Sequence, residues 1–215
     1  MRAAGIAALL ILAAVAVPAS ALWFGPRFNS VWRDRPIVVD GDGKDDWPSD
    51  RRDDAGDMSF GFANDAKDLY VMFAAHTKAS KAQLGGTYGQ DLSFWVDPRG
   101  GMGHVLGVGL TAPQKAGDDM IRVFTAIGSD AARSRYIEVR AGSLDEHGII
   151  EARVPLQLLG NPPPRVVTVG LEAAMPVKIP HGTSDPKARS PDERFGVVRI
   201  WVRVKLAPPP KQDPR

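Results

Sequence analysis

The stretch QDLSFWVDPRGG, residues 90–101, decides the fold class of this 215-residue chain. Leu92, Phe94 and Val96 fall on one face of an extended strand, whereas Ser93 and Trp95 fall on the other. The Asp-Pro pair then ends the strand, and Arg-Gly-Gly supplies a turn. The pattern predicts a half-buried β-strand. Its second face carries a large aromatic side chain beside short polar groups, as in a ligand platform or in a strand covered on both sides.

Comparable short strands recur along the chain, separated by Gly, Pro and Asp turns. No long helical pattern follows residue 21. The segments predicted as further strands are 36–40, 57–63, 68–75, 104–111, 119–126, 135–141, 148–155, 165–173 and 195–205. About ten strands at such spacing predict an all-β fold, a two-sheet antiparallel β-sandwich of immunoglobulin-like or jelly-roll-like type.

The N-terminal residues 1–21 have the composition of a secretory signal peptide. Arg2 precedes a small and apolar run, and Ala-Ser-Ala at 19–21 matches a cleavage site. The run is short for a membrane span, which needs about 20 residues, and an uncleaved membrane anchor is the alternative. We therefore predict a secreted or periplasmic bacterial protein. An extended lead-in (22–35), a β-sandwich binding domain (36–205) and a disordered Pro-rich tail (206–215) follow the signal.

Composition excludes several classes of function. The chain has no cysteine, so it has neither disulfides nor thiolate metal ligands. Its 27 basic and 25 acidic residues give a net charge of +2, which does not favour nucleic-acid binding. The four histidines are scattered without a metalloprotease spacing, and no nucleophile elbow is present. We predict that the protein is not an enzyme, with a glycosidase-like carboxylate pair as the alternative.

The acidic turn after residue 39 has the oxygen ligands that calcium requires. Asp40 and Asp42 alternate along it, and two more aspartates follow. Lys44 stands where a calcium loop has an acid, so a solvated turn is the second interpretation.

Three tryptophans bear on packing and binding. Trp47 follows a turn and precedes a proline, which predicts a residue that plugs the core. Trp95 and Trp201 each lie opposite the aliphatic face of their strand. Each is predicted either to stack on a sugar or to be buried beneath a loop.

Four sequence pieces occur in an order that resembles carbohydrate-binding module family 9 and the wider DOMON-like β-sandwiches. They are IVVDGDGKDDW (37–47), NDAKDLYVMF (64–73), QDLSFWVDP (90–98) and EARVPLQLLG (151–160). The resemblance implies a non-catalytic, often secreted sandwich in which calcium supports the structure. It also implies that two aromatic side chains hold a sugar.

The resemblance places specific residues at the sugar site. Tyr88 stands where the family has one of its tryptophans, just before Gln90 and Asp91. Arg189 stands where the family has the other, six residues before a Phe-Gly pair. The predicted ligand-binding residues are therefore these four and Trp95. The expected ligand is a glycan or another cell-envelope component.

Two alternative roles remain open for the same fold. The first is a protein-interaction or assembly module without sugar binding, which the lost second tryptophan favours. The second is a haem-binding electron-transfer domain, for which several methionines and the four histidines offer axial ligands. Their spacing selects no pair. The methionines considered are Met58, Met72, Met102, Met120 and Met175.

Overall fold

The computed structural model describes residues 27–43, 47, 53–55, 58–85, 91–112, 114–116, 119–142, 148–176 and 195–211. These residues form strands joined by short turns and helices. In chain order the elements are β1 (Arg27–Asn29), β2 (Val31–Trp32), β3 (Asp53–Ala55), β4 (Met58–Asn64), β5 (Asp68–Ala75), α1 (Lys78–Gly85), β6 (Leu92–Asp97), β7 (Leu106–Leu110), β8 (Gln114–Ala116), β9 (Asp119–Ile121), β10 (Phe124–Ile127), α2 (Ala131–Ser134), β11 (Glu138–Ala141), β12 (Ile149–Pro155), a 3-10 turn (Leu156–Leu158), β13 (Val166–Pro176) and β14 (Phe195–Lys205).

The strands form two main sheets. Sheet A has the order β1-β14-β13-β6-β7-β10, and sheet B has the order β11-β12-β5-β4-β2, with β3 added to β4. A separate hairpin joins β8 to β9. Pairing is antiparallel except where β1 meets β14 and β2 meets β4, which are parallel. The all-β sandwich prediction is confirmed, with mixed sheets instead of purely antiparallel ones. In both exceptions a strand of the N-terminal lead-in runs in the same direction as the strand that it joins.

The main core lies between the two sheets. Leu92, Phe94 and Val96 of β6 are buried there, as their alternation predicts. The ring of Phe94 meets that of Phe73 from β5 edge-on, with ring centroids 6.5 Å apart. Aliphatic and aromatic side chains at alternate positions of both sheets fill this layer, so the period-two pattern of the sequence explains the sandwich.

A second, smaller core covers the outer face of sheet B. Residues 36–40, predicted as a strand, are not one: they cross this face without ladder pairing. Ile37 and Trp47 are buried there against Tyr70 and Met72 of β5. The prediction that Trp47 plugs a core is confirmed. Its ring lies so close to Gly61 of β4 that a Cβ there would come within 3.0 Å of it.

The N-terminal segment passes from sheet A to sheet B at Ser30. The Ser30 hydroxyl donates to the side-chain oxygen of Asn64, at the end of β4. The backbone N–H of Ala207 donates to the same amide oxygen at 2.9 Å and to the Ser30 hydroxyl at 2.8 Å. The Asn64 amide group donates back to the Ala207 carbonyl at 3.1 Å. We call this group of three residues the clasp.

The clasp corrects one predicted boundary. The tail was expected to be disordered from residue 206, but Leu206 packs against the core and its N–H donates to the Arg165 carbonyl at 2.9 Å. Contact with the domain therefore continues through Ala207. Among the described residues no helix is long and apolar enough to cross a membrane. The predicted signal peptide lies outside the described residues.

Candidate functional site

Two tryptophans lie on the outer face of sheet A, on strands β6 and β14, which are separated by β13. In the strand register Trp95 of β6 stands between Gly107 of β7 and Gly170 of β13, and Gly170 stands opposite Trp201 of β14. A Cβ on Gly107 would come within 2.4 Å of Cε3 of Trp95, and one on Gly170 within 2.7 Å of Trp201. Each indole therefore lies flat over a neighbouring glycine. The two tryptophans are only 8% and 5% exposed.

His104 forms the solvent-facing part of this cluster. Its imidazole centroid lies 4.3 Å from the Trp95 ring system and 5.8 Å from that of Trp201. Its side chain is 46% exposed, in contrast to the indoles. His104 lies in the turn two residues before β7 begins. The chain thus holds its accessible imidazole above the two buried indoles.

Glu172 of β13 connects the rings. Its Oε1 lies 3.0 Å from His104 Nε2 and accepts a hydrogen bond of 3.3 Å from Trp201 Nε1. The carboxylate is 13% exposed. A carboxylate at this position orients the imidazole and keeps negative charge at the surface of the aromatic cluster.

Three side-chain polar atoms are buried without a hydrogen-bond partner in the part of the chain that the structure describes: Trp95 Nε1, Thr168 Oγ1 and Arg203 Nε. All three belong to outward-facing positions of sheet A, because their strand neighbours face the core. In the register Thr168 lies directly opposite Arg203 and Asp97. A buried polar group without a partner is unfavourable by about 1–3 kcal/mol. The three atoms lie on the same face of sheet A as the two indoles.

The structure places only some of the predicted ligand-binding residues. Tyr88, Gln90 and Arg189 lie outside the described residues. Asp91 is exposed just before β6, where its Oδ1 accepts a 2.7 Å hydrogen bond from the Ala112 N–H. Trp95 belongs to the cluster on sheet A, although its ring is buried under His104 and is not open to solvent. Its burial agrees with the interpretation of Trp95 as a covered ring, whereas stacking on a sugar stays a prediction.

The acidic turn is organised by a residue that the sequence analysis did not select. Glu151 of β12 is 1% exposed on the outer face of sheet B. Its Oε2 accepts from the backbone N–H groups of Asp40 at 3.0 Å and Gly41 at 2.7 Å. Its Oε1 accepts a 2.7 Å bond from Trp47 Nε1. The turn is thus fixed to sheet B by a buried carboxylate.

The predicted calcium ligands Asp40 and Asp42 are hydrogen-bonded to each other in this turn. Asp40 Oδ1 accepts a 2.9 Å hydrogen bond from the Asp42 N–H. In the described ranges no group of three His, Cys, Asp or Glu side chains is placed to hold a metal ion. Residues 44–46 lie outside those ranges, and calcium binding stays a prediction.

The hairpin turn between β4 and β5 holds two shifted titratable groups. Asp65 accepts from the Asp68 N–H at 2.7 Å and from the Tyr70 hydroxyl at 2.9 Å. Burial, and then the hydrogen bond to Asp65, raise the pKa of Tyr70 above its ordinary value. Burial, and then the charge of Asp65, raise the pKa of Asp68.

An open groove of about 660 Å³ adjoins this turn. Lys67, Asp68 and Arg153 line it together with apolar residues of the 3-10 turn and the proline-rich link. Arg153 is also paired with Glu138 of β11 at 2.8 Å. Because its charges are mixed, the groove selects no class of ligand.

The haem alternative gains no pair of ligands from the described methionines. Met58 faces the main core of the sandwich, whereas Met72 faces the second core on the other side of sheet B. Met102 is exposed in the turn before β7.

Sequence reasoning missed His104, Glu172, Thr168 and Arg203. One signal pointed to the location: Gly107 and Gly170 interrupt otherwise apolar strands, and a glycine inside a strand often marks the close approach of another group. The identity of that group depends on strand register, which alternation alone does not give.

No protein-family model matches the sequence, and a search of curated proteins finds no match. Among solved structures, the chain is similar to a family 9 carbohydrate binding module from Caldicellulosiruptor kristjanssonii in complex with glucose. The TM-score is 0.46 and the identity 12%, over 87% of this chain and 98% of that chain. A family 9 module of the same organism in complex with cellotriose gives 0.43 and 13%, over 84% and 93%. Both structures come from the family that the four sequence pieces resemble.

Proposed function

We propose that this protein is a non-catalytic carbohydrate-binding module, and that the outer face of sheet A around His104 is its binding surface. One observation carries the proposal: two indoles, an imidazole and a carboxylate lie together on one face of a sheet. Aromatic rings offer the apolar face of a sugar a stacking surface, and nearby polar groups bind its hydroxyls.

The side chains of the cluster have different roles in the proposed binding. The exposed His104 imidazole supplies the ring on which a sugar stacks, and Glu172 orients it and accepts from a hydroxyl. The buried Trp95 Nε1–H has no partner. This donor is covered in the free protein, so a sugar oxygen would satisfy it only where the His104 ring moves aside.

The wider parts of the sequence prediction belong to this proposal. The protein is exported after removal of residues 1–21, and its ligand is a glycan of the cell envelope or surroundings. Tyr88, Gln90, Asp91 and Arg189 belong to this proposal as the ligand-binding residues that the sequence predicts, and calcium supports the turn at Asp40. The intact mass of the protein isolated from the periplasmic or secreted fraction tests cleavage after residue 21.

Tryptophan fluorescence titration of the mature protein tests the binding proposal. The ligands are glucose and cellotriose, which are bound in the two similar structures, with and without calcium. We expect a saturable change, and about fivefold weaker binding in His104→Ala because a ring contact contributes about 1 kcal/mol. A flat response of the wild-type protein to these and a broad glycan panel would overturn the proposal.

Two glycine variants separate the cluster from the strand that carries it. Gly107→Ala places a methyl group within 2.4 Å of the Trp95 ring and must displace it. Gly109→Ala lies two residues along the same face of β7, where the nearest atom is 3.6 Å away on Ile127. We expect the first to weaken sugar binding and shift the emission spectrum, and the second to leave both unchanged.

A second candidate function is a protein-interaction module. It is favoured by the edge of sheet A, where Val123 and Phe124 are exposed beside strand β10. Exposed apolar residues at a strand edge are typical of pairing surfaces. A photo-cross-linker at position 124 that captures one defined partner in cells, while one at the exposed Lys81 captures none, would support it if all glycan titrations are flat.

A further inference from the structure

We infer that the saccharide bound on the outer face of sheet A carries a carboxylate group, which Arg203 recognises. The inference rests on the proposed function and names the class of sugar that binds most tightly: a uronic acid or another acidic unit, in preference to a neutral hexose. The observation behind it is that two buried polar atoms next to the aromatic cluster, Thr168 Oγ1 on β13 and Arg203 Nε on β14, have no hydrogen-bond partner.

The positive charge of Arg203 meets no carboxylate in the part of the chain that the structure describes. It faces outward on β14, is half-buried, and makes no hydrogen bond or ion pair within the described residues. Its Nε–H is buried, and so is the Thr168 hydroxyl opposite it; neither has a partner. A guanidinium removed in part from water and left unpaired is unfavourable unless an anion completes it.

The carboxylates of the same face are already engaged. Asp97 accepts from the Arg99 N–H at 2.9 Å through Oδ1 and from the Gly103 N–H at 2.8 Å through Oδ2. Glu172 contacts His104 and Trp201. Neither forms an ion pair with Arg203, so among the described residues this guanidinium has no carboxylate partner, and we infer that a ligand supplies one.

The position of Arg203 suits a sugar that rests on the cluster. It lies two residues beyond Trp201 on the same face of β14, a separation of about 7 Å along a strand. A ring stacked at His104 can therefore direct a carboxylate toward the guanidinium. Guanidinium and carboxylate form two parallel charge-assisted hydrogen bonds. The Thr168 hydroxyl adds a further donor, and Lys205 adds positive charge two residues beyond Arg203.

The test compares two trisaccharides of the same β-1,4 linkage, cellotriose and its fully oxidised counterpart, cellotriuronic acid. Calorimetric titration at low and at physiological salt measures both affinities for the wild-type protein, Arg203→Gln, Arg203→Lys and Thr168→Val. Arg135→Gln is the matched control, because it removes an equal charge from an exposed arginine beside Tyr136, which lies outside sheet A. Circular dichroism confirms that each variant is folded.

We expect the wild-type protein to bind the acidic trisaccharide at least tenfold more tightly than the neutral one. Arg203→Gln should abolish this preference while changing neutral binding less than twofold. Arg203→Lys should retain part of the preference, because it keeps the charge without the fork of donors. Arg135→Gln should keep all of it. Thr168→Val should reduce the preference partly.

Three results would overturn the inference, and they differ in what else they imply. Equal wild-type affinities for both sugars would remove the acidic preference and leave the proposed function standing. Equal losses in Arg203→Gln and Arg135→Gln would reduce the preference to general electrostatics. Binding of neither sugar would overturn the proposed function together with the inference.

Discussion

Glu151→Gln replaces the buried carboxylate that fixes the acidic turn to sheet B, while the size of the side chain is kept. Oε2 of Glu151 takes two backbone N–H groups, and Oε1 takes the indole N–H of Trp47. A glutamine has one acceptor oxygen. It can keep the two backbone bonds, but its amide group then faces the indole N–H, donor against donor.

The expected magnitude follows from this count. A hydrogen bond to a charged acceptor contributes about 1.5–3 kcal/mol, and the lost bond leaves a buried donor unsatisfied. Glu151→Gln should therefore lower the free energy of unfolding by about 2–3 kcal/mol. Glu151→Ala loses all three bonds and leaves a cavity, so its cost should be about 5 kcal/mol, at the upper end for a single substitution.

Urea unfolding followed by circular dichroism measures these values without relying on a tryptophan signal. Trp47→Phe removes the donor, so adding Glu151→Gln in that background should cost less than about 1 kcal/mol. Hydrogen exchange should show faster opening at the N–H groups of Asp40 and Gly41 in Glu151→Ala. An effect of Glu151→Gln below about 0.5 kcal/mol, or strict additivity with Trp47→Phe, would refute the reasoning.

Three further predictions concern stability. Gly41→Ala should lower the free energy of unfolding by about 2–3 kcal/mol, because φ is +89° and the new Cβ would lie 3.0 Å from backbone atoms at the end of β11. Gly100→Ala, with φ +71° and its nearest contact at 3.8 Å, should lower it by about 1 kcal/mol. Thermal unfolding of both variants separates the effect of backbone strain from that of steric contact. Burial raises the pKa of Asp68 above 3.8, so the contribution of Asp68 to the free energy of unfolding is fully present below pH 3.8 and is lost as pH rises through the shifted pKa. Asp68→Asn should therefore be more stable than the wild type at pH 7 and equal to it at pH 3. The reverse order would contradict this. Asn64→Ala should lower the free energy of unfolding by about 2–4 kcal/mol, and removal of the chain from Ala207 onward should produce part of the same loss in urea unfolding.

The sandwich was readable from the sequence because burial imposes a period of two on each strand. The strand over Asp68–Ala75 was predicted with its observed bounds, since a polar hairpin turn precedes it and every second residue is apolar. The segment 36–40 shows where this reasoning fails. It is as rich in β-branched residues as a strand, yet it joins no ladder, and the N–H groups of Asp40 and Gly41 at its end donate to a glutamate more than 100 residues away.

The candidate site was predicted in part. Trp95 was placed correctly on the face opposite the core, because alternation along one strand is a local property. The imidazole above it, the glycine beneath it and the carboxylate beside it come from two neighbouring strands and a turn. Their meeting is set by register between distant segments, which the spacing of residues in one strand does not encode.

The clasp has a consequence for the order in which this protein is completed. Synthesis delivers the N-terminal segment first. Among the described strands, however, β1 pairs with the final one, and the Ser30 hydroxyl accepts a hydrogen bond from the N–H of Ala207, 177 residues later. Such long-range pairing is entropically expensive and slow. The first strand therefore lacks its β14 partner until the last strand of the domain has left the ribosome.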